Sequence, residues 1–168
     1  MPQPIRIETS APLILAGVNQ RYKVGPDAGM KLQWEKFMED FGRIEGQVGM
    51  KAYGVCHDFG EGHMDYMAAA EVKDGGQVPG YLHVLKIPKR KVAVFLQEGP
   101  LETISETWGK IFSEWLPAAK LTVAQGAQFE VYDDEFYADD AGAKVEIHIP
   151  VKWPFEARKR SHLRVRLF

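Results

Sequence analysis

Two stretches of this 168-residue chain repeat one another: Trp34-x-x-Phe37-Met38-x-x-Phe41 and Trp108-x-x-Ile111-Phe112-x-x-Trp115 share one pattern of large apolar residues, 74 positions apart. An internal repeat constrains architecture more than any local propensity, because each copy is one supersecondary unit that buries its apolar face against a neighbour. The copying extends past these two segments. Ala16-Gly17-Val18 aligns with Val92-Ala93-Val94 and Tyr53-Gly54-Val55 with Phe129-Glu130-Val131, both at an offset of 76, and residues 66–70 align with 146–150 at an offset of 80. Each half therefore reads strand, helix, strand, strand.

The local patterns place these elements. Leu13 to Tyr22 reads as a strand, residues 24–29 as a loop, and Met30 to Phe41 as a helix whose apolar positions follow the 3.6-residue period. Strands follow near Lys51–Cys56 and Asp65–Val72, separated by the glycine-rich turn His57–His63, and a polar connector runs from Lys73 to Gly80. In the second half a strand near Val92–Gln97 stops at Gly99-Pro100, and a helix from Leu101 to Leu116 ends before Pro117. The last strands lie near Phe129–Asp133 and Lys144–Val151, on either side of an acidic loop from Asp133 to Gly142.

The expected class is α+β: tandem pseudo-twofold repeats forming a mostly antiparallel sheet, with two helices on one face and a groove between the halves. A groove at a repeat interface is a natural ligand site. One domain over residues 1–157 is the economical reading, with repeat one at about 10–73, repeat two at about 82–153, and a basic tail at 158–168. A 45% hydrophobic content supports a real core at this length.

Charge and cysteine usage exclude several classes. Five of the 21 basic residues sit in the tail, so the first 157 residues carry 16 basic against 23 acidic side chains, a poor balance for duplex DNA. No direct DNA binding is expected. The single cysteine, Cys56, excludes an intramolecular disulfide, and with no secretory leader or bilayer-length apolar run the expected location is cytoplasmic, with no membrane contact. Cys56 stands alone on a strand and reads as inert. Donors in the 57–63 turn match no standard ligand spacing, so neither a metal nor a cofactor is expected.

The final strand carries the sharpest chemical pattern. In Lys144-Val145-Glu146-Ile147-His148-Ile149-Pro150-Val151 the period of two puts Val145, Ile147 and Ile149 on one face and Glu146 with His148 on the other. Deep in the groove, Glu146 would lose solvation, its pKa would move upward, and it would attract a cationic or hydrogen-bond-donating ligand. On an outer face the same alternation shows the pair to water. Sequence alone leaves both open.

Val92-Ala93-Val94-Phe95 leading to Gly99-Pro100, the helix with Trp108 and Glu114-Trp115-Leu116-Pro117, then Phe129-Glu130-Val131-Tyr132 and Val145 to Val151, resembles the GyrI-like, AraC-type effector-binding domain over roughly residues 10–153. The resemblance implies a groove between two strand-helix-strand-strand repeats that takes bulky aromatic or amphipathic compounds, often cationic. Members serve as ligand sensors fused to transcription factors or as stand-alone sequestering proteins, and a subset hydrolyses cyclopropane-containing genotoxins. The resemblance puts the pocket glutamate on Glu146. His148 departs from the usual aromatic or aliphatic residue, and is compatible with simple pairing, a hydrogen-bonded dyad or an acid-base unit.

Aromatic residues supply the remaining candidates. Tyr66, as the repeat partner of Glu146, is expected in the same groove, with Trp108 as a wall and Tyr22 and Trp153 joining from strand ends. Trp34 and Trp115 read as core. Three functions stay open: a small-molecule sensor or sequestering protein, a hydrolase of strained electrophiles using Glu146 with His148 assisting, and a protein-interaction module. A homodimer or a partner transcription factor is compatible with each.

Overall fold

A computed structural model describes residues 4–23, 29–133 and 144–152. Trp153, the basic tail, most of the acidic loop and all of the 24–29 loop but Gly29 lie outside them.

Among the described residues nine strands form in chain order: β1 (Arg6–Ser10), β2 (Leu13–Lys23), β3 (Gln47–Gly60), β4 (His63–Val72), β5 (His83–Ile87), β6 (Arg90–Gln97), β7 (Thr122–Val123), β8 (Gln128–Tyr132) and β9 (Val145–Lys152). Eight of them make one antiparallel sheet in the order β1-β6-β9-β8-β3-β4-β2-β5, and β7 pairs with the end of β9. Helix α1 (Gly29–Met38) follows β2. After β6 come α2 (Ile104–Lys110), a π-helical turn (Ile111–Trp115) and α3 (Leu116–Ala118). The second helix thus runs past Pro117 instead of stopping before it. The π turn changes the bonding pattern just upstream, so the ring, which has no N–H to give, is accommodated.

The strand-helix-strand-strand repeat is present twice, as β2-α1-β3-β4 and β6-α2-β8-β9. The two copies meet at β3 and β8, where Tyr53 faces Val131, Gly54 faces Glu130 and Val55 faces Phe129. A twofold axis through the Gly54–Glu130 pair exchanges Tyr53 with Phe129 and Val55 with Val131, the correspondence that the offset of 76 anticipates. Outside that pair the sequence alignment slips by one. Gly54 is paired with Ala68 and Glu130 with Ile147, which makes Ala68 the mate of Ile147 and the offset 79. Likewise Val18 faces Ala68 and Phe95 faces Ile147, an offset of 77. Side chains alternate across a strand, so a one-residue slip moves every residue to the opposite face.

Two edge strands, β1 and β5, escape the sequence pattern. The 57–63 turn is shorter than expected: β3 extends to Gly60, β4 starts at His63, and only Glu61-Gly62 connects them, with Gly62 at φ +71°.

Both helices lie on one face. Under α1 the sheet is built of small residues, Ala16, Ala52, Ala68 and Ala70, which seat the fully buried Phe37 and the flanking Trp34 and Phe41. Under the second helix the sheet offers Phe95, Ile147 and Ile149 against Ile111 and Leu116. Large helix residues over small strand residues in one copy, and the reverse balance in the other, fill the same space. Burying each of Phe37, Ile111 and Phe95 contributes on the order of 2 kcal/mol. Ile104 touches both clusters and joins the halves.

Candidate functional site

The central strand pair aims its alternate residues toward the helices. Gly54, Glu130, Tyr66 and Tyr132 all fall on that face by register. Glu130 is buried there. Its Oε1 accepts a hydrogen bond from Trp108 Nε1 at 2.7 Å, and its Oε2 accepts one from the Tyr132 hydroxyl. Opposite, the Tyr66 hydroxyl accepts from Trp34 Nε1 at 3.1 Å. The repeated tryptophans are thus used identically, each sending its indole N–H to the pseudo-twofold centre. Trp34 meets Tyr132 edge-on with ring centroids 5.5 Å apart, and Trp108 stacks on the exposed Phe112 at 6.3 Å.

Gly54 makes room for this cluster. A Cβ at that position would lie 2.4 Å from the Tyr66 hydroxyl oxygen and 3.0 Å from Glu130 Oε2. The twofold mates Gly54 and Glu130 therefore divide the labour: one copy supplies the carboxylate and the other the space beside it.

Burial pushes the Glu130 carboxyl above the usual range, against the opposing pull of the Tyr132 and Trp108 hydrogen bonds. Burial also holds the Tyr66 hydroxyl well above its ordinary value, with the Glu130 charge adding to it. Among the described residues no basic side chain pairs with Glu130. A desolvated carboxylate beside two indoles and two phenols, with no cation paired to it among the described residues, is complementary to an organic cation with aromatic or apolar bulk.

Glu146 lies on the other face of the sheet. Its two oxygens accept from Arg6 Nη1 and Nη2, both at 2.8 Å, and Oε2 is 2.9 Å from His148 Nε2. Arg6 also donates to Glu8 at 2.9 Å, and the His148 ring stacks on Phe129 at 4.9 Å. This overturns the expected upward shift. The Arg6 hydrogen bonds hold the Glu146 carboxyl down at about 2, and burial lowers His148 despite its carboxylate neighbour. Arg6 is 140 residues from Glu146 in the chain, and β1 carries no sequence signal that places it.

The expected site residues therefore divide. Tyr66 and Trp108 stand with Glu130 under the helices. Glu146 and His148 stand on the opposite face, so Tyr66 and Glu146 do not share a groove. Tyr22 is buried behind Tyr66: its hydroxyl donates to Gln33 Oε1 at 2.7 Å, and Gln33 Nε2 donates to the carbonyls of Val18 and Tyr66. Trp153 falls outside the described residues. In the 57–63 turn, His57 bonds to Asn19 at 2.7 Å and Asp58 to Arg21 at 2.8 Å. Sequence reading did not single out Glu130, Tyr132 or Gly54 as members of this cluster; Trp34, read as core, packs against the core cluster and also sends its indole N–H to Tyr66. The signal for Trp34 was the repeat itself, since it is the mate of Trp108.

The doubled strand-helix-strand-strand sheet, with two helices on one face and an acidic aromatic cluster at its pseudo-twofold centre, defines a tandem-repeat α+β domain. The chain belongs to the family of the GyrI-like small molecule binding domain, which matches residues 3–152. Transcriptional regulator BrlR of Pseudomonas aeruginosa is 32% identical over 120 residues, 70% of this chain, and the chain spans 44% of that regulator's length. Among solved structures, SAV2435 bound to tetraphenylphosphonium shares the fold at a TM-score of 0.71 and 22% identity, over 88% of this chain and 93% of the other. The EcmrR C-terminal domain does so at 0.64 and 18%, over 88% and 96%. No helix among the described residues is long and apolar enough to cross a membrane.

Proposed function

We propose that this domain binds hydrophobic organic cations between its two helices, at Glu130, as a sensor or sequestering protein. The observation that carries the reading is the buried Glu130 carboxylate, held by Trp108 and Tyr132 and left without a basic partner among the described residues. Trp34, Tyr66, Trp108 and Tyr132 supply the ring faces. The tetraphenylphosphonium in SAV2435 is a ligand of this chemistry, and the transcriptional role of BrlR favours sensing. In this reading Glu146, bonded to His148, pairs with Arg6 to tie the first strand to the last, and neither Glu146 nor His148 takes part in cation binding.

The test compares tetraphenylphosphonium with triphenylphosphine oxide, a neutral compound of related shape, by isothermal titration. With carboxylate and cation about 6 Å apart at an effective dielectric of about 20, the charge term is about 3 kcal/mol, or roughly 100-fold in affinity. Glu130→Gln should lose that factor for the cation and almost nothing for the oxide. An equal loss for both ligands would sink the reading.

The upward shift of the same carboxyl favours one further reading, hydrolysis of strained electrophiles, because a carboxylate of raised pKa is a stronger general base. Turnover of a cyclopropane substrate beyond one equivalent, abolished by Glu130→Gln, would establish it. Stoichiometric trapping without turnover would reject it.

A further inference from the structure

The helix-free face carries the opposite charge logic. Arg90 opens β6 on that face, and its guanidinium stands over the Phe129 ring, 5.6 Å from the centroid. Its Nε and Nη2 are buried and have no hydrogen-bond partner, the only such side-chain atoms among the described residues. Burial, with no carboxylate to offset it, lowers the Arg90 pKa to about 10. Leaving two buried N–H groups of a half-buried cation unpaired is a costly arrangement.

Nε and Nη2 form one edge of the guanidinium, the fork that takes the two oxygens of a carboxylate or similar oxyanion in parallel. Arg90 lines two cavities. One, of about 360 Å³, also holds Glu8, Glu71 and Glu146 in its wall, which disfavours an anion. The other, of about 500 Å³, is lined by Leu85, Ile87, Pro88 and Ala127, with Lys86 as a second cation, and its acid Asp58 is paired with Arg21. Gly126, at φ +133°, packs against Arg90 Nη1, and a Cβ there would lie 3.0 Å from it. Glycine at this position therefore keeps the Nη1 side of the guanidinium uncrowded.

We propose that this larger cavity is a second ligand site, for a small aromatic carboxylate, with the oxyanion on the Arg90 fork and the ring against Leu85, Ile87 and Pro88. The site lies on the opposite face of the sheet from Glu130 and is independent of the cation reading. Ligand binding would supply the partner that the fold withholds, so the domain would present a cation site on one face and an anion site on the other.

The probe is 2-naphthoate, titrated calorimetrically beside neutral 2-naphthamide and inorganic phosphate. The wild-type chain should prefer the naphthoate over the amide by about tenfold or more, the scale of a charge-assisted hydrogen-bonded contact. Arg90→Met should abolish that preference while keeping its tetraphenylphosphonium affinity and a Tm no lower than wild type, since it removes an unpaired buried charge. Should Arg90→Met fail to fold, Arg90→Lys keeps the charge but lacks the fork, and should also lose the preference. No naphthoate binding by wild type, equal binding of naphthoate and naphthamide, retained preference in Arg90→Met, or phosphate binding as tight as naphthoate would each overturn the proposal.

Discussion

Glu130 carries a stability prediction that is separable from any ligand. The folded state holds its carboxyl above the ordinary range, whereas the unfolded chain leaves it near about 4.3. Below that value both states are protonated and the site has no pH-dependent effect. As pH rises from the unfolded value through the raised folded value, the unfolded state releases its proton first and the folded state loses stability relative to it. Above the folded value the loss is complete. Glu130→Gln cannot ionise, keeps a side chain of the same shape, and still offers an oxygen to Trp108 Nε1. The desolvation of a poorly compensated charged group is worth about 1–3 kcal/mol or more, and the Trp108 and Tyr132 hydrogen bonds recover part, leaving about 1–2 kcal/mol. For a chain of this size that is about 2–8 °C in Tm. Differential scanning calorimetry between pH 4 and pH 8 should find the two proteins equal at the acid end and Glu130→Gln the more stable at the alkaline end. A difference that stays flat with pH, or a less stable variant at pH 8, would refute the reasoning. Saturating tetraphenylphosphonium should then raise the wild-type Tm by more than that of the variant.

Two further outcomes follow from the geometry. Gly54→Ala places a methyl 2.4 Å from the Tyr66 hydroxyl oxygen, so it should lower stability by about 1–3 kcal/mol and weaken tetraphenylphosphonium binding, read by denaturant titration and calorimetry. On the opposite face, the Glu146 carboxyl resonance should titrate near pH 2 in the wild type and return toward the ordinary range in Arg6→Gln, followed by carbon-detected NMR. Because its folded pKa is depressed, the stability it adds is present above the ordinary carboxyl pKa and is lost as pH falls toward 2. With Arg6 and Glu146 both substantially exposed, Arg6→Gln should lower stability at neutral pH by no more than about 1 kcal/mol.

The repeat, the helical and main strand segments and the α+β class were legible because they rest on periodicities of 3.6 and 2 that the chain carries locally. The correspondence of the central segments was legible too: aligning Tyr53-Gly54-Val55 with Phe129-Glu130-Val131 gives the twofold mates seen at β3 and β8, although that these two strands pair with each other was not. The short edge strands β1 and β5 were not, since each is five residues long and lacks an alternating pattern that separates it from a loop. The continuation of the second helix through Pro117 depends on a π turn, which no local sequence rule marks.

What the sequence determined by itself was the kind of object: two copies of one unit, with both helices on one face of the sheet. It also determined that Glu146 and His148 share a face. What only the tertiary structure decided was which acid lies under the helices. The true offset of the last strands is 79 and not 80, a difference the sequence patterns cannot resolve, and an odd slip in a period-two strand sends Tyr66 and Glu146 to opposite faces. The Arg6 partner that neutralises Glu146 is 140 residues away and reaches it only because β1 pairs with β6 and β6 with β9. Local periodicity fixes which residues lie together on a strand; register and long-range pairing fix which face lies under the helices and which charge is already satisfied.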